Sequence, residues 1–215
     1  VSGPGVIFLF GERIRVKTRS IGPRSCAVCK TVASFTEQLE SNWFCLFGLP
    51  ILPVEQFARY WRCEDCLSAY EPGKLEAPSS VALVKRIILY ILLGYNQHAR
   101  VAAAQDICFK LCGFDLTDRE AKTLARDISA GHLDMFDDVR SHAAHLNATG
   151  KQQVLEAAFL ATHTCCELQY EDRLRINLIG NALGEGLAFV ERAIETSREN
   201  NHYKISRRRE LEREV

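Results

Sequence analysis

The chain has 215 residues, with 27 basic and 27 acidic side chains and a formal net charge of zero at pH 7. Hydrophobic residues make up 47% and charged residues 25%, the balance of a soluble globular protein long enough for a real core, and 13 Gly with 6 Pro exclude a disordered or fibrous chain. Zero net charge argues against nucleic-acid binding through bulk electrostatics, and no apolar run reaches the roughly 18 residues of a spanning helix.

In chain order, residues 6–10 and 13–17 read as short strands joined by a hairpin at Gly11-Glu12. Ile14 and Val16 then face one side, and Arg13, Arg15 and Lys17 the other. The apolar run 6–10 lacks the basic lead and cleavage pattern of a signal peptide. Further strands are expected over 32–37, 43–46 and 57–62. Pro50 and Pro53 cannot donate ladder hydrogen bonds, so the end of the run 43–54 is expected to leave the sheet. Phe47, Leu49, Ile51 and Leu52 then need cover, each contributing roughly 1.5 to 3 kcal/mol when buried. Burial against the helical half is the favoured outcome. The alternative makes Trp43, Phe44, Phe47, Ile51 and Leu52 an interaction surface, for an unknown protein partner or for peripheral contact with a membrane.

Pro72-Gly73 breaks the chain, and Ser79 or Ser80 is placed to cap the next helix. No proline follows Pro78. Seven apolar stripes at helical spacing follow instead, from Val81, Val84, Ile88 and Ile91 to Leu187, Val190 and Ile194, with Thr117 as a cap between them. The chain thus divides into 1–72, a linker 73–79, a helical unit 80–198 and a charged tail 199–215. Glutamates interleave with Arg207-Arg208-Arg209 in that tail, which reads as solvated. The expected fold class is mostly α with a small β part.

Nine cysteines are an odd number and fit a fully paired disulfide framework poorly. In a reducing cytoplasm, paired cysteines point to metal first. Cys26-Ala27-Val28-Cys29 and Cys63-Glu64-Asp65-Cys66 are two such pairs. Two intervening residues let a tight turn aim both sulfurs at one ion, and two turns supply the four thiolates of a tetrahedral zinc site. The gap from Lys30 to Arg62 exceeds the usual roughly 15 to 20 residues, but a hairpin can span it because its ends need only return to one point. A redox pair, two disulfides or an iron–sulfur cluster would use the same residues; zinc is preferred. Four thiolates on Zn2+ leave a charge of about −2, which Arg24, Lys30 and Arg62 stand near enough to offset. A site filled by four protein ligands has no open position and serves folding rather than catalysis.

Other residue groups offer weaker sites. On a helix Asp138, His142 and His145 share a face, near His132, Asp134 and Asp137, which would suit a metal or acid–base site. Phe136, Val139 and Ala143 fit the opposite, buried face, so the polar set reads as solvated. Cys108 and Cys112, one turn apart, and Cys45, Cys165 and Cys166 read as small buried hydrophobes. Arg13, Arg15, Lys17 and Arg19 are offset by Glu12, Glu37 and Glu40, so no nucleic-acid partner is favoured. No Gly-rich phosphate loop, Ser-His-Asp pattern or His-Glu-x-x-His motif occurs, and no enzymatic activity is expected.

Two resemblances accompany these readings. Phe8-Leu9-Phe10-Gly11, Gly22-Pro23 ahead of Cys26, then Trp43-Phe44, Phe47, Pro50 and Pro53, and Trp61 and Tyr70 around the second cysteine pair, resemble a bacterial zinc-ribbon domain. Glycine commonly follows each cysteine pair there; this chain has Lys30 and Leu67 instead, and a side chain in the left-handed conformation costs roughly 1 kcal/mol. Residues 103–117 and 167–184 are similar to the TerB-like, tellurite-resistance-associated helical domain, whose acidic loop residues are implicated in metal binding. Cys165-Cys166 replaces one expected Asp-Gly, residues 94–98 replace the other, and only Asp172 matches the acidic pattern. The resemblances imply a zinc ribbon followed by an all-helical TerB-like bundle, with a link to stress or envelope complexes. Zn2+ is the expected cofactor of a cytoplasmic interaction or scaffolding protein. A nucleic-acid-binding protein, or an enzyme built on the Asp/His stretch, is the alternative.

Overall fold

The computed structural model describes residues 10–97 and 100–200. The expected strand over residues 6–9, His98 and the tail beyond Asn200 lie outside them. The amino-terminal part is one antiparallel sheet in the order β1 (Phe10–Ser25), β2 (Val32–Leu46), β3 (Leu49–Cys63) and β4 (Ala69–Tyr70). Three of these strands are about fifteen residues long, and the sheet curls into a half-barrel. The small zinc ribbon expected from the sequence is therefore not what forms. A quarter of the described structure is strand, about 25% against 49% helix.

Local turn rules account for the difference. Gly11 lies inside β1 opposite Cys45, so Gly11-Glu12 is strand and not a hairpin. Pro50 and Pro53 remain in β3, opposite Cys45 and Trp43, and do not end it. Beyond the short pairing of β4 with Trp61 and Arg62, β3 is an edge strand, where a missing N–H leaves no central ladder bond broken. Register shifts leave Ile51, Val54 and Phe57 as extra residues on β3, and Ile21 on β1 before Gly22. Each bulge adds local twist, which coils the long strands. The β2–β3 turn has Phe47 at φ 51° and Gly48 at φ 78°, the two left-handed residues of a tight hairpin loop.

Seven helices follow: α1 (Ser79–Gly94), α2 (Val101–Cys112), α3 (Asp118–Ser129), α4 (Met135–Ala143), α5 (Ala148–Cys165), α6 (Tyr170–Ala182) and α7 (Leu187–Glu199). Each apolar stripe falls on one of them, except that Leu146, expected to continue the stripe of Phe136, Val139 and Ala143, lies past the end of α4. Thr117 accepts from the Glu120 amide and caps α3. At α1 the N-cap is Pro78, and Ser80 lies inside the helix with its hydroxyl on Gln153 at 2.8 Å, so the expected serine cap is corrected. Every residue of α5 from Val154 to Thr162 is buried, as befits a helix apolar nearly all round at the centre of its unit. Val84, Ile87, Ile88 and Ile91 of α1 pack in the same core. Among the described residues no helix is long and apolar enough to cross a membrane.

The halves meet at the cysteine end of the strands. The Arg59 amide donates to the Ala144 carbonyl at 2.8 Å, and His145 Nδ1 lies 3.1 Å from the Arg59 carbonyl. Asn147 donates to the Leu67 carbonyl at 2.7 Å. The β2–β3 turn lies at the other end, roughly 45 Å of strand away. There Phe47, Leu49, Ile51 and Leu52 are 50 to 65% exposed, so the helical half does not cover them as expected. Trp43 and Phe44 are half-buried within the sheet.

Candidate metal centre

Both Cys-x-x-Cys segments fold into the same turn. At the first, which links β1 to β2, the Cys26 amide donates to the Thr31 carbonyl at 3.0 Å and the Lys30 amide to the Cys26 carbonyl at 2.9 Å. At the second, which follows β3, the Cys63 amide donates to the Ser68 carbonyl at 3.1 Å and the Leu67 amide to the Cys63 carbonyl at 3.0 Å. Lys30 and Leu67 both have φ of 60°, the left-handed positions where the sequence placed them. Two side chains are therefore held in a conformation that costs each roughly 1 to 2 kcal/mol, because only that bend closes the turn around its sulfurs.

The long hairpin of β2 and β3 brings the turns together. Cys26 Sγ lies 3.7 Å from Cys66 Sγ, and Cys29 Sγ 3.9 Å from Cys63 Sγ. All four sulfurs lie within 4.8 Å of one another. A tetrahedral ion with metal–sulfur bonds of about 2.3 Å spaces its thiolates by about 3.8 Å, whereas a disulfide would need about 2.05 Å. The group can thus hold a metal ion. Cys26 and Cys63 are buried, and Cys29 and Cys66 half-buried.

Electrostatics around the sulfurs are set by hydrogen bonds. Burial pushes the Cys26 thiol up, but the Cys29 amide, the Tyr70 hydroxyl and the Val28 amide outweigh it and bring the pKa to about 6. Burial wins at Cys63, whose pKa is raised. Hydrogen bonding to Cys66, then burial, raises Cys29. Four thiols this close cannot all ionise against one another; a dication replaces their protons and removes the conflict. Cations do less than the sequence suggested. Arg24 donates to the Pro23 carbonyl, Arg62 pairs with Glu64 at 3.3 Å, and Lys30 lies over the Phe114 ring at 5.6 Å.

Tyr70 is the functional residue that sequence reasoning left without a role. It is fully buried, its hydroxyl lies 3.1 Å from Cys26 Sγ, and its ring packs on Phe35 at 5.6 Å. Such second partners orient ligands and tune a metal. Its signal in the sequence was its place just after the second cysteine pair, among the residues of the zinc-ribbon resemblance, with no role attached.

The other candidates are used structurally. Asp138 is ion-paired with Arg86 and sits 3.3 Å from His142 Nδ1, so the expected solvated face is instead partly buried and paired. Asp134 caps α4 and His145 meets Arg59. Asp172 accepts from the Tyr95 hydroxyl and from the Gln169 amide at 2.9 Å, closing the start of α6. Burial opposes ionisation of Asp172, but these hydrogen bonds win and hold its carboxyl below the usual range. Cys108 and Cys112 are pushed up by burial to about 11 and about 12, values of thiols rather than ligands at neutral pH. Among the described residues the cysteine quartet is the one group of three or more Cys, His, Asp or Glu with converging ligand atoms. Compared with protein-family models, curated proteins and solved structures, the chain finds no match, so the zinc-ribbon and TerB-like resemblances gain no support from known proteins.

Proposed function

We propose that this protein is a non-catalytic docking protein in which a zinc ion, held by Cys26, Cys29, Cys63 and Cys66, fastens the base of a long β arm against a helical body. The observation that carries this reading is the pair of matching turns whose four sulfurs take the spacing of a tetrahedral tetrathiolate. Four protein ligands leave no coordination position for a substrate, so the ion serves structure. The centre lies where β strands and helices meet, so the ion sets how the arm projects from the body. Nine cysteines without a disulfide suit a reducing compartment such as the cytoplasm.

Metal analysis of the full chain tests the reading. The expected result is one zinc per chain, lost in a Cys26→Ser, Cys63→Ser double variant. Full zinc content in that variant, or a coloured iron-bearing protein, would overturn the assignment.

A further inference from the structure

We propose that the turn end of the β arm docks on an anionic phospholipid bilayer, with the β2–β3 turn among the acyl chains and Arg13 and Arg15 of β1 at phosphate level. The proposal names the partner of the docking role above and rests on that reading. It draws on different residues from the metal centre.

Residues 41–54 contain no charged side chain. The sheet folds this run back on itself at Phe47-Gly48, so the uncharged stretch becomes the tip of the arm. Its large side chains lie on both faces. Phe10, Leu46 and Leu49 are cross-strand partners, as are Phe44 and Leu52, while Trp43 faces Pro53 on the opposite side. Phe10 is 73% exposed. A tip that is apolar on one face fits a protein groove; one that is apolar on both faces fits a medium that surrounds it. Pro50 and Pro53 also remove two N–H donors from β3, where hydrocarbon could not satisfy them.

Depth and charge agree with lipid. Among the described residues the charge nearest the apex is Glu12, opposite Phe44, and its carboxylate is turned back onto Asn42. From that level to the apex the arm measures about 10 Å, close to the roughly 5 to 10 Å that interfacial elements sink into a bilayer. One residue further back Arg13 faces Trp43. Arg15 lies over the Trp43 ring at 5.3 Å, and the indole N–H donates to Ser41 at 3.0 Å. An amphipathic ring beside cations belongs at headgroup level. Arg13, Arg15, Lys17 and Arg19 continue along one face of β1. The carboxylate opposite Arg19, Glu37, is paired with Arg59 at 2.8 Å. With the tip inserted, Arg13 and Arg15, the two of the row nearest the turn, lie at the bilayer surface and complement anionic headgroups although the whole chain is neutral. Phe47 occupies a left-handed turn position that Asn or Gly would fill with less strain, and it is 58% exposed.

The test is flotation of the full zinc-loaded chain with vesicles of phosphatidylcholine, with and without phosphatidylserine. Binding is expected to the anionic vesicles, weakening with salt. Arg13→Ser combined with Arg15→Ser should weaken it about thirty-fold, at about fivefold per cation. Phe47→Asn should weaken it at least about tenfold, while its turn chemistry holds folding stability level or higher. Ile51→Ser with Leu52→Ser provides a second probe, and zinc content should stay full in all variants. A zinc-loaded protein that ignores anionic vesicles would overturn the lipid proposal and leave the metal reading standing. Binding unchanged in Phe47→Asn and in the double arginine variant would also overturn it. So would a tip-dependent dimer in ultracentrifugation, or submicromolar binding of a single-stranded oligonucleotide, without vesicle binding.

Discussion

Replacing Tyr70 by Phe removes one oxygen from the interior of the metal centre and nothing else. The ring is fully buried and packs on Phe35, and phenylalanine keeps both properties. What is lost is the hydroxyl that donates to Cys26 Sγ at 3.1 Å and lies near the Val28 amide. A hydrogen bond to a charged acceptor contributes about 1.5 to 3 kcal/mol. Removal of a second partner of a metal ligand costs about 10- to 100-fold in affinity, or about 1.4 to 2.7 kcal/mol, so the two routes agree. Ser68→Ala, which removes a longer 3.4 Å contact to Cys66 Sγ, should cost less. Zinc transfer to a chelator of known affinity measures the first effect, and denaturant unfolding of the zinc-loaded chain the second. A Tyr70→Phe protein with unaltered zinc affinity and unaltered unfolding would refute the argument and reduce Tyr70 to packing.

Two further predictions concern the helical half. A Cβ on Gly180 would collide with the Val190 methyl of α7, a buried and β-branched side chain with little room to turn. Gly180→Ala should therefore destabilise by about 1 to 3 kcal/mol, despite the roughly 1 kcal/mol that alanine gains over glycine in a helix; thermal unfolding that shows a gain would refute the close approach. The Glu156 carboxyl is pushed up by burial, against a 2.7 Å hydrogen bond from Gln152. A raised folded pKa contributes stability that is present below the unfolded pKa and lost as pH rises through the folded one. Glu156→Gln should thus be more stable relative to the parent at pH 7 than at pH 4, and unfolding curves with the reverse order would contradict the burial argument.

The cysteine turns were legible because their chemistry is local. Two residues between cysteines and a left-handed residue after each pair are properties of five consecutive positions, and Lys30 and Leu67 adopt φ of 60° where the pattern requires it. Apolar periodicity likewise falls on helices, since it depends only on neighbouring turns. The long strands were not legible. Gly11-Glu12 reads as a turn and Pro50 and Pro53 read as exits only while the partner strand is unknown; pairing along all of β2 overrides both. The true turn, Phe47-Gly48, was hidden because phenylalanine is no turn former. Arg86 with Asp138 and Tyr70 with Cys26 join residues far apart in sequence, and no spacing rule announces such pairs.

Zinc K-edge X-ray absorption on the purified full chain tests the central claim most directly, because it counts the ligand atoms around the ion. The account predicts four sulfur scatterers at about 2.3 Å and no nitrogen or oxygen in the first shell. A mixed shell with fewer than four sulfurs would contradict it.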